Sequence, residues 1–172
     1  MEIKLYFGKE YNMYIKEIKI SNFRNFRDAS VPFHEGVNVI IGHNNTGKSN
    51  LLRAIGLVLG YSDGRRLGTC DLFYETDVVT LQQQSPRIKI TLIFHRSQGE
   101  ALDSAEMGLF SGMMTDPALS EEAKLRYEFK LADDQEDNYK ADVAGVTTAK
   151  EIWKIIDRDY IRLYRGSRSG GN

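Results

Sequence analysis

The residues best suited to chemistry stand together between Gly42 and Ser49, in the sequence GHNNTGKS. They match in full the pattern G-x-x-x-x-G-K-[ST], a loop that surrounds a polyphosphate with inward-pointing backbone N–H groups. Its glycines allow a close approach of the backbone that a Cβ would block. Lys48 is then placed to reach the β- and γ-phosphates, and Ser49 to offer its hydroxyl to Mg²⁺. The pattern predicts a nucleotide and Mg²⁺ as cofactors, and it leaves ATP and GTP as alternatives.

The segments on either side of this loop are those that a phosphate site needs. The apolar run VNVII, residues 37–41, predicts a short strand buried on both faces of a sheet, with a strand hairpin over residues 13–33 leading into it. After Lys48, apolar residues recur at helical spacing and end at Gly60, which predicts an amphipathic helix of about three turns. The N-terminal N–H groups of that helix favour a bound anion. The apolar positions of this helix are Leu51, Leu52, Ile55, Val58 and Leu59.

The later part of the chain alternates between strand-like and helix-like patterns. SPRIKITLIFH and KLRYEFKLA alternate apolar and polar residues and predict two strands that pair antiparallel, joined by a surface excursion with one short helix. The acidic stretch LADDQEDNYKAD predicts a solvated loop. TTAKEIWKIIDRDY predicts a helix with Trp153 and its neighbouring isoleucines in the core, and YIRLY predicts a short strand. The glycine-rich end RGSRSGGN predicts a flexible tail.

Length and composition favour one soluble domain. The chain has 172 residues with 23 basic and 24 acidic side chains, so its overall charge does not indicate a nucleic-acid binder. Cys70 is the only cysteine, which excludes an internal disulfide and a cysteine-based zinc cluster. No stretch is apolar enough for a membrane span or a signal peptide, so we expect no membrane partner and a cytoplasmic location.

The residues that would drive hydrolysis are harder to find than those that would bind. A P-loop ATPase needs an acidic residue at a strand end to hold Mg²⁺ and a group that orients the attacking water. No apolar strand after the loop ends in an acidic pair, and Asp157 and Asp159 lie in a predicted helix. His34 and His95 lack the spacing of a metal site. The sequence therefore indicates binding more strongly than catalysis, and catalytic residues stay unassigned.

With these residues in view, the segment from Met13 to Gly60 resembles the N-terminal part of ABC-type ATPase heads of the RecF and SMC group, and most closely the OLD-family ATP-dependent endonucleases. The resemblance rests on the NFRNF turn at residues 22–26, the phosphate loop and the helix that opens SNLLRAI. It weakens beyond Gly60, where TCDLFYE and PRIKITLIF are similar to an Asp-Phe segment and the strand that follows it.

The resemblance implies an α/β P-loop NTPase fold: the N-terminal lobe of an ABC-type head, with a mixed sheet and an antiparallel β-subdomain. Arg24 and Asn25 in the turn would lie near nucleotide, and the metal would be held by Ser49 and by a glutamine best matched by Gln98. The implied nucleotide is ATP. The loop and helix residues that would bind it are Gly42, Asn44, Asn45, Thr46, Gly47, Lys48, Ser49 and Asn50.

Two functions remain open on this basis. The first is an ATPase domain linked to ATP-dependent DNA processing or nuclease activity, in DNA repair or phage defence, which would reach DNA through a larger assembly. It would hydrolyse ATP only when a homodimer mate or partner subunit supplied the missing lobe, and the chain itself carries no nuclease domain. The second is a truncated or split nucleotide-binding or interaction module without turnover. A small-molecule kinase fits less well, because two strands precede the phosphate loop.

The expected domain boundaries follow the same resemblance. Residues 13–165 would form the ATPase lobe, and residues 166–172 the flexible tail. Residues 1–12 would be either an N-terminal extension, with Met13 as the true start, or an additional edge strand.

Overall fold

The computed structural model describes residues 3–6, 13–44, 46–61, 67–96 and 122–170. Its elements combine strands with short helices, as expected for an α/β fold. The strands are β1 (Ile3–Tyr6), β2 (Met13–Phe23), β3 (Phe26–Pro32), β4 (Val37–Ile40), β5 (Ile88–Arg96), β6 (Glu122–Leu131) and β7 (Tyr164–Gly170). The α-helices are α1 (Lys48–Leu59), α2 (Val78–Gln83), α3 (Glu136–Val143) and α4 (Ala149–Ile155). Short 3₁₀ turns lie at Thr69–Asp71, Asp133–Gln135 and Ile161–Leu163, and a π-helical segment at Ile156–Tyr160 continues α4.

Five strands form one antiparallel sheet in the order β3-β2-β5-β6-β7. The predicted antiparallel pairing of the two alternating segments is confirmed. Strands β5 and β6 pair in one continuous register, in which Leu92 lies opposite Leu125. Strand alternation places Ile18, Ile20, Ile88, Ile90 and Leu92 in the core, where each is fully buried. The antiparallel β-subdomain expected from the sequence is therefore present.

Helix α1 covers the core with most of the apolar stripe that its sequence predicts. Leu51, Ile55 and Val58 are buried, together with Ala54 and Leu57. Leu52 is half-buried and Leu59 is exposed, although both belonged to the predicted stripe. Gly60 ends the helix in the left-handed conformation at φ 86°, which glycine adopts without a Cβ penalty. The helix thus holds its first residue, Lys48, against the end of β4.

The strand that leads into the phosphate loop differs from the prediction. Strand β4 lies outside the five-stranded sheet and pairs antiparallel with β1, so the N-terminal segment forms an edge strand there. Val37 and Val39 are 51% and 44% exposed, although their apolar run predicts burial on both faces. An apolar run shows that a strand is suited to burial, but the covering layer must come from elsewhere. Within the described residues no segment covers these two side chains.

Three further segments also depart from the sequence-based expectations. The acidic stretch expected to be a loop forms the 3₁₀ turn and α3, because Tyr139 and Val143 lie one helical turn apart and both pack into the core. YIRLY is helical up to Leu163 rather than a strand. Residues 166–170, expected to be flexible, instead extend β7 along β6 from Tyr164 onward. Arg168 of β7 donates from Nε to the Leu57 carbonyl at 2.9 Å, which ties this strand to α1.

Helix α4 and its core residues match the prediction. Thr148 caps it by accepting the Glu151 amide at 3.3 Å, and Ile152 and Trp153 are buried. The excursion between β5 and β6, with the helix predicted in it, lies outside the described residues. No helix in the described ranges combines the length and apolarity that a membrane crossing requires.

Candidate functional site: the phosphate loop and its supporting turn

The loop closes around the Lys48 side chain. The Lys48 ammonium donates to the carbonyls of Gly42 at 2.6 Å and His43 at 2.5 Å, and it lies 3.4 Å from Thr46 Oγ1. Thr46 Oγ1 in turn donates to the His43 carbonyl at 2.9 Å. Only 8% of Lys48 is exposed, so the loop directs its single ammonium group inward. An ammonium group held inside a ring of backbone is the arrangement expected for neutralising a bound polyanion.

The two glycines of the motif occupy places where a side chain does not fit. A Cβ at Gly42 would come within 2.8 Å of Thr46 Oγ1. Gly47 has φ 93°, and a Cβ there would meet Asn25 Nδ2 at 2.5 Å and the Phe26 ring at 3.1 Å. Both glycines are therefore required by the packing of the loop against its own threonine and against the β2–β3 turn.

The N-terminus of α1 opens directly from this loop. Its first helical hydrogen bond runs from the Leu51 amide to the Gly47 carbonyl at 2.8 Å, so the amides of Lys48, Ser49 and Asn50 precede it. Ser49 is exposed and free to turn its hydroxyl toward a ligand. These amides and the helix dipole favour an anion at this point.

The structure brings the turn residues Arg24 and Asn25 to the same place. Arg24 Nη1 donates to Asn50 Oδ1 at 2.7 Å, and Asn50 Nδ2 donates to Asn25 Oδ1 at 2.7 Å. The β2–β3 turn therefore lies against the first turn of α1. Asn22 and Arg24 have φ 55° and 52°, the left-handed conformation that lets so tight a turn form.

A residue that carried no role in the sequence analysis anchors this turn. Asp71 is fully buried in the 3₁₀ turn after residue 68, where it accepts from Arg24 Nε at 2.9 Å and forms an ion pair with Arg24 Nη2 at 2.8 Å. Burial raises the pKa of the neighbouring Tyr127 phenol, and the negative charge of Asp71 adds to that shift. The only signal in the sequence was an aspartate inside the apolar context TCDLF, and its partner is 47 residues away.

The remaining predicted site residues fall into two groups. Asn44 and Thr46 lie exposed on the loop, whereas Asn45 and Gln98 lie outside the described residues.

The two carboxylates considered as metal ligands are engaged by other side chains. Asp159 pairs with Arg158 at 2.6 Å, and Asp157 accepts from Thr69 Oγ1 at 2.7 Å. Over the described ranges, no cluster of three or more histidine, cysteine or carboxylate side chains could hold a metal.

This combination of a phosphate loop, an inward lysine and a helix N-terminus defines a P-loop ATPase domain. A family model described as an AAA ATPase domain matches residues 13–159, and the chain belongs to that family. Its resemblance to the RecF and SMC group of ATPase heads is confirmed.

Among curated proteins, the chain is similar to the DNA replication and repair protein RecF of Streptococcus suis (strain 05ZYH33), with 32% identity over 88 residues. That match covers 51% of this chain and 22% of RecF, so the chain spans about a fifth of its relative. Among solved structures, a RecF recombination mediator with ATP matches at 29% identity and TM-score 0.44, covering 70% of this chain and 25% of the other. An SMC ATPase described for ATP-driven dimerization and DNA-stimulated activation matches at 19% identity and TM-score 0.45, covering 83% and 77%.

Proposed function

We propose that this chain is the ATP-binding lobe of a RecF-like ATPase that acts in DNA repair. The observation that carries the proposal is the enclosed Lys48 ammonium, held by two loop carbonyls at the N-terminus of α1. Lys48 supplies the positive charge that a triphosphate needs, and the amides that precede the first hydrogen bond of α1 supply donors for its oxygens. Ser49 is the residue that would ligate Mg²⁺, which when bound neutralises charge on the phosphates.

Hydrolysis by the lobe alone is the less favoured outcome. The carboxylates considered for the metal, Asp157 and Asp159, are engaged by Thr69 and Arg158. A second candidate function is therefore a nucleotide-binding or interaction module without turnover. One experiment tests whether the lobe hydrolyses ATP by itself: calorimetric titration with Mg·ATP alongside steady-state phosphate release. Binding without release supports the lobe as a partner-dependent unit, whereas release by the lobe alone would contradict it.

A partner would have an apolar surface to cover. Val37, Val39 and Ile41 leave exposed apolar area along β4, and such area usually marks an interaction site. We propose that a second lobe, from a homodimer mate or a partner subunit, covers this strand. Sedimentation velocity tests the idea: replacing Val37 and Val39 by serine should reduce self-association, and an unchanged distribution would argue against this surface.

DNA is proposed as the polymer that the assembly handles, and the outer face of the five-stranded sheet supports this. Four cations, Lys19, Lys89, Lys124 and Arg126, line a groove of about 290 Å³ that contains one carboxylate, Asp28. Lys19 lies opposite Thr91, and Thr91 opposite Arg126, so the charges cross three strands. Lys89, Lys124 and Arg126 form no ion pair with any residue that the structure describes. Phosphate backbones bind to clustered lysine and arginine side chains.

Association with an endonuclease, as in OLD-type proteins and phage defence, is a narrower proposal that rests on the NFRNF turn and the SNLLRAI helix start. It assigns the nuclease to a region other than this lobe. The lobe by itself should leave supercoiled plasmid intact in Mg²⁺ or Mn²⁺. Nicking that copurifies with the lobe and survives Lys48→Ala would mean that nuclease residues lie within it.

A further inference from the structure

The Arg24–Asp71 pair joins two segments that the sequence keeps far apart. The Arg24 amide donates to the Asp71 carbonyl at 2.9 Å, and the Phe73 amide donates to the Asn22 carbonyl at 3.0 Å. A single bridge between Phe23 and Leu72 lies between these bonds. The backbone therefore clips the β2–β3 turn onto the segment that carries Asp71, independently of the two side chains.

The side chains add a second connection that ends at the phosphate loop. Asp71 Oδ1 accepts the Nε–H of Arg24 and lies 2.8 Å from its Nη2, while Asp71 Oδ2 accepts the Gly68 amide at 3.1 Å. Arg24 uses a third N–H on Asn50, and Asn50 holds Asn25 against Gly47. The connection thus runs from a buried carboxylate, through a guanidinium, to the first turn of α1.

Arg24 is only partly occupied by these contacts. A guanidinium carries five N–H donors in a fixed plane, and the hydrogen bonds use one on Nε and one on Nη1, while Nη2 lies 2.8 Å from Asp71 Oδ1. The Arg24 side chain is 25% exposed, whereas that of Asp71 is fully buried. The terminal nitrogens therefore keep N–H groups without a further acceptor among the described residues. Guanidinium donors of this kind match the oxygens of a phosphate.

We propose that Asp71 is a positioning residue of the nucleotide site, which fixes the Arg24 guanidinium beside the N-terminus of α1 so that its remaining N–H groups meet the ligand's phosphates. This inference rests on the proposed ATP binding. A buried carboxylate needs a cationic partner in any case, so a purely structural pair is the competing explanation. The two explanations differ in one respect: a positioning role acts on ATP affinity only through Arg24.

A double-mutant cycle on ATP affinity tests this difference. Asp71→Asn keeps the shape of the side chain and removes its charge, and Arg24→Gln removes the cation. We expect each single variant to weaken Mg·ATP binding about tenfold, and the double variant to bind no more weakly than Arg24→Gln alone. Asp137→Asn, an exposed carboxylate on α3, is the matched control and should keep the parent affinity. All titrations are made where denaturation curves show the variants to be folded.

Two results would overturn the inference. One is an Asp71→Asn variant that is less stable yet binds ATP within twofold of the parent. The other is a loss of ATP affinity on Asp71→Asn that is equally large in the parent chain and in the Arg24→Gln variant. If Asp71→Asn does not fold, Arg24→Lys decides, because a single ammonium cannot hold Asp71 and Asn50 in the same plane. Weakened binding by Arg24→Lys supports the inference, and parent affinity overturns it.

The failure of this inference is distinguishable from the failure of the proposed function. If the parent chain does not bind Mg·ATP, the proposed function fails and the inference fails with it. If the parent binds, Lys48→Ala abolishes binding and Asp71→Asn retains it, only the role of Asp71 is rejected.

Discussion

At the scale of single residues, Gly47 is the point where the phosphate loop meets the β2–β3 turn. Its φ of 93° and its contact distance to Asn25 both require that no Cβ be present. The glycine pattern alone predicted the first requirement. The second needed the structure, because Asn25 lies 22 positions earlier and no local pattern links the two residues.

Replacing Gly47 by alanine should therefore destabilise the fold as well as the site. The left-handed conformation costs about 1–2 kcal/mol for a residue with a Cβ, and the clash with Asn25 adds to that cost. We expect urea denaturation to show a loss of about 2–4 kcal/mol. Gly145→Ala is the control, because a Cβ there meets nothing within 4 Å. Equal stability of the two variants would show that the turn does not press on Gly47.

At the scale of elements, the sequence predicts a helix or strand correctly where residues within the segment itself mark its ends and its buried face. Helix α1 has a glycine on each side and an apolar stripe, and it was predicted from those features. Helix α3 has neither feature, and its many acidic residues favour the prediction of a loop. Its two buried residues, Tyr139 and Val143, are covered by segments that are distant in sequence: Tyr139 contacts Leu81 of α2 and Tyr160 at the end of the π-helical segment. Strand β4 was recognised as a strand, but its partner and its exposure depend on long-range contacts.

The hydroxyl of Tyr139 gives a direct test of how α3 is held. It donates to the Leu81 carbonyl of α2 at 2.6 Å in a fully buried position. Tyr139→Phe leaves that carbonyl without its donor, so we expect a loss of about 1–3 kcal/mol in the free energy of unfolding. Tyr61→Phe, on an 82% exposed ring, should have no measurable effect. If the two variants unfold at the same denaturant concentration, the Tyr139 bond contributes nothing to the docking of α3.

At the scale of the whole molecule, net charge and charge placement point in different directions. The formal charge of −1 does not by itself indicate a nucleic-acid binder. Strand register then gathers Lys19, Lys89, Lys124 and Arg126 onto one face of the sheet. Which residues of these three strands share a face follows from the strand order and register, which composition does not reveal.

That face predicts salt-dependent DNA binding. Lys89→Gln combined with Lys124→Gln should weaken binding to a labelled duplex, measured by fluorescence anisotropy. Each phosphate contact that is lost should also reduce the slope of log affinity against log salt concentration by about one unit in magnitude. Lys150→Gln combined with Lys154→Gln removes the same charge from exposed positions on α4 and is the control. Identical slopes for the two double variants would reject the sheet face as the DNA-binding surface.

The central claim is that Gly42–Ser49 binds the phosphates of ATP, and the most direct measurement is calorimetric titration of Mg·ATP into the parent chain and into Lys48→Ala. A hydrogen-bonded cation contributes about 1.5–3 kcal/mol, so the variant should bind at least tenfold more weakly. Lys150→Ala, which removes an exposed lysine of α4, should bind as the parent does. Equal affinities for the parent and Lys48→Ala would contradict the account.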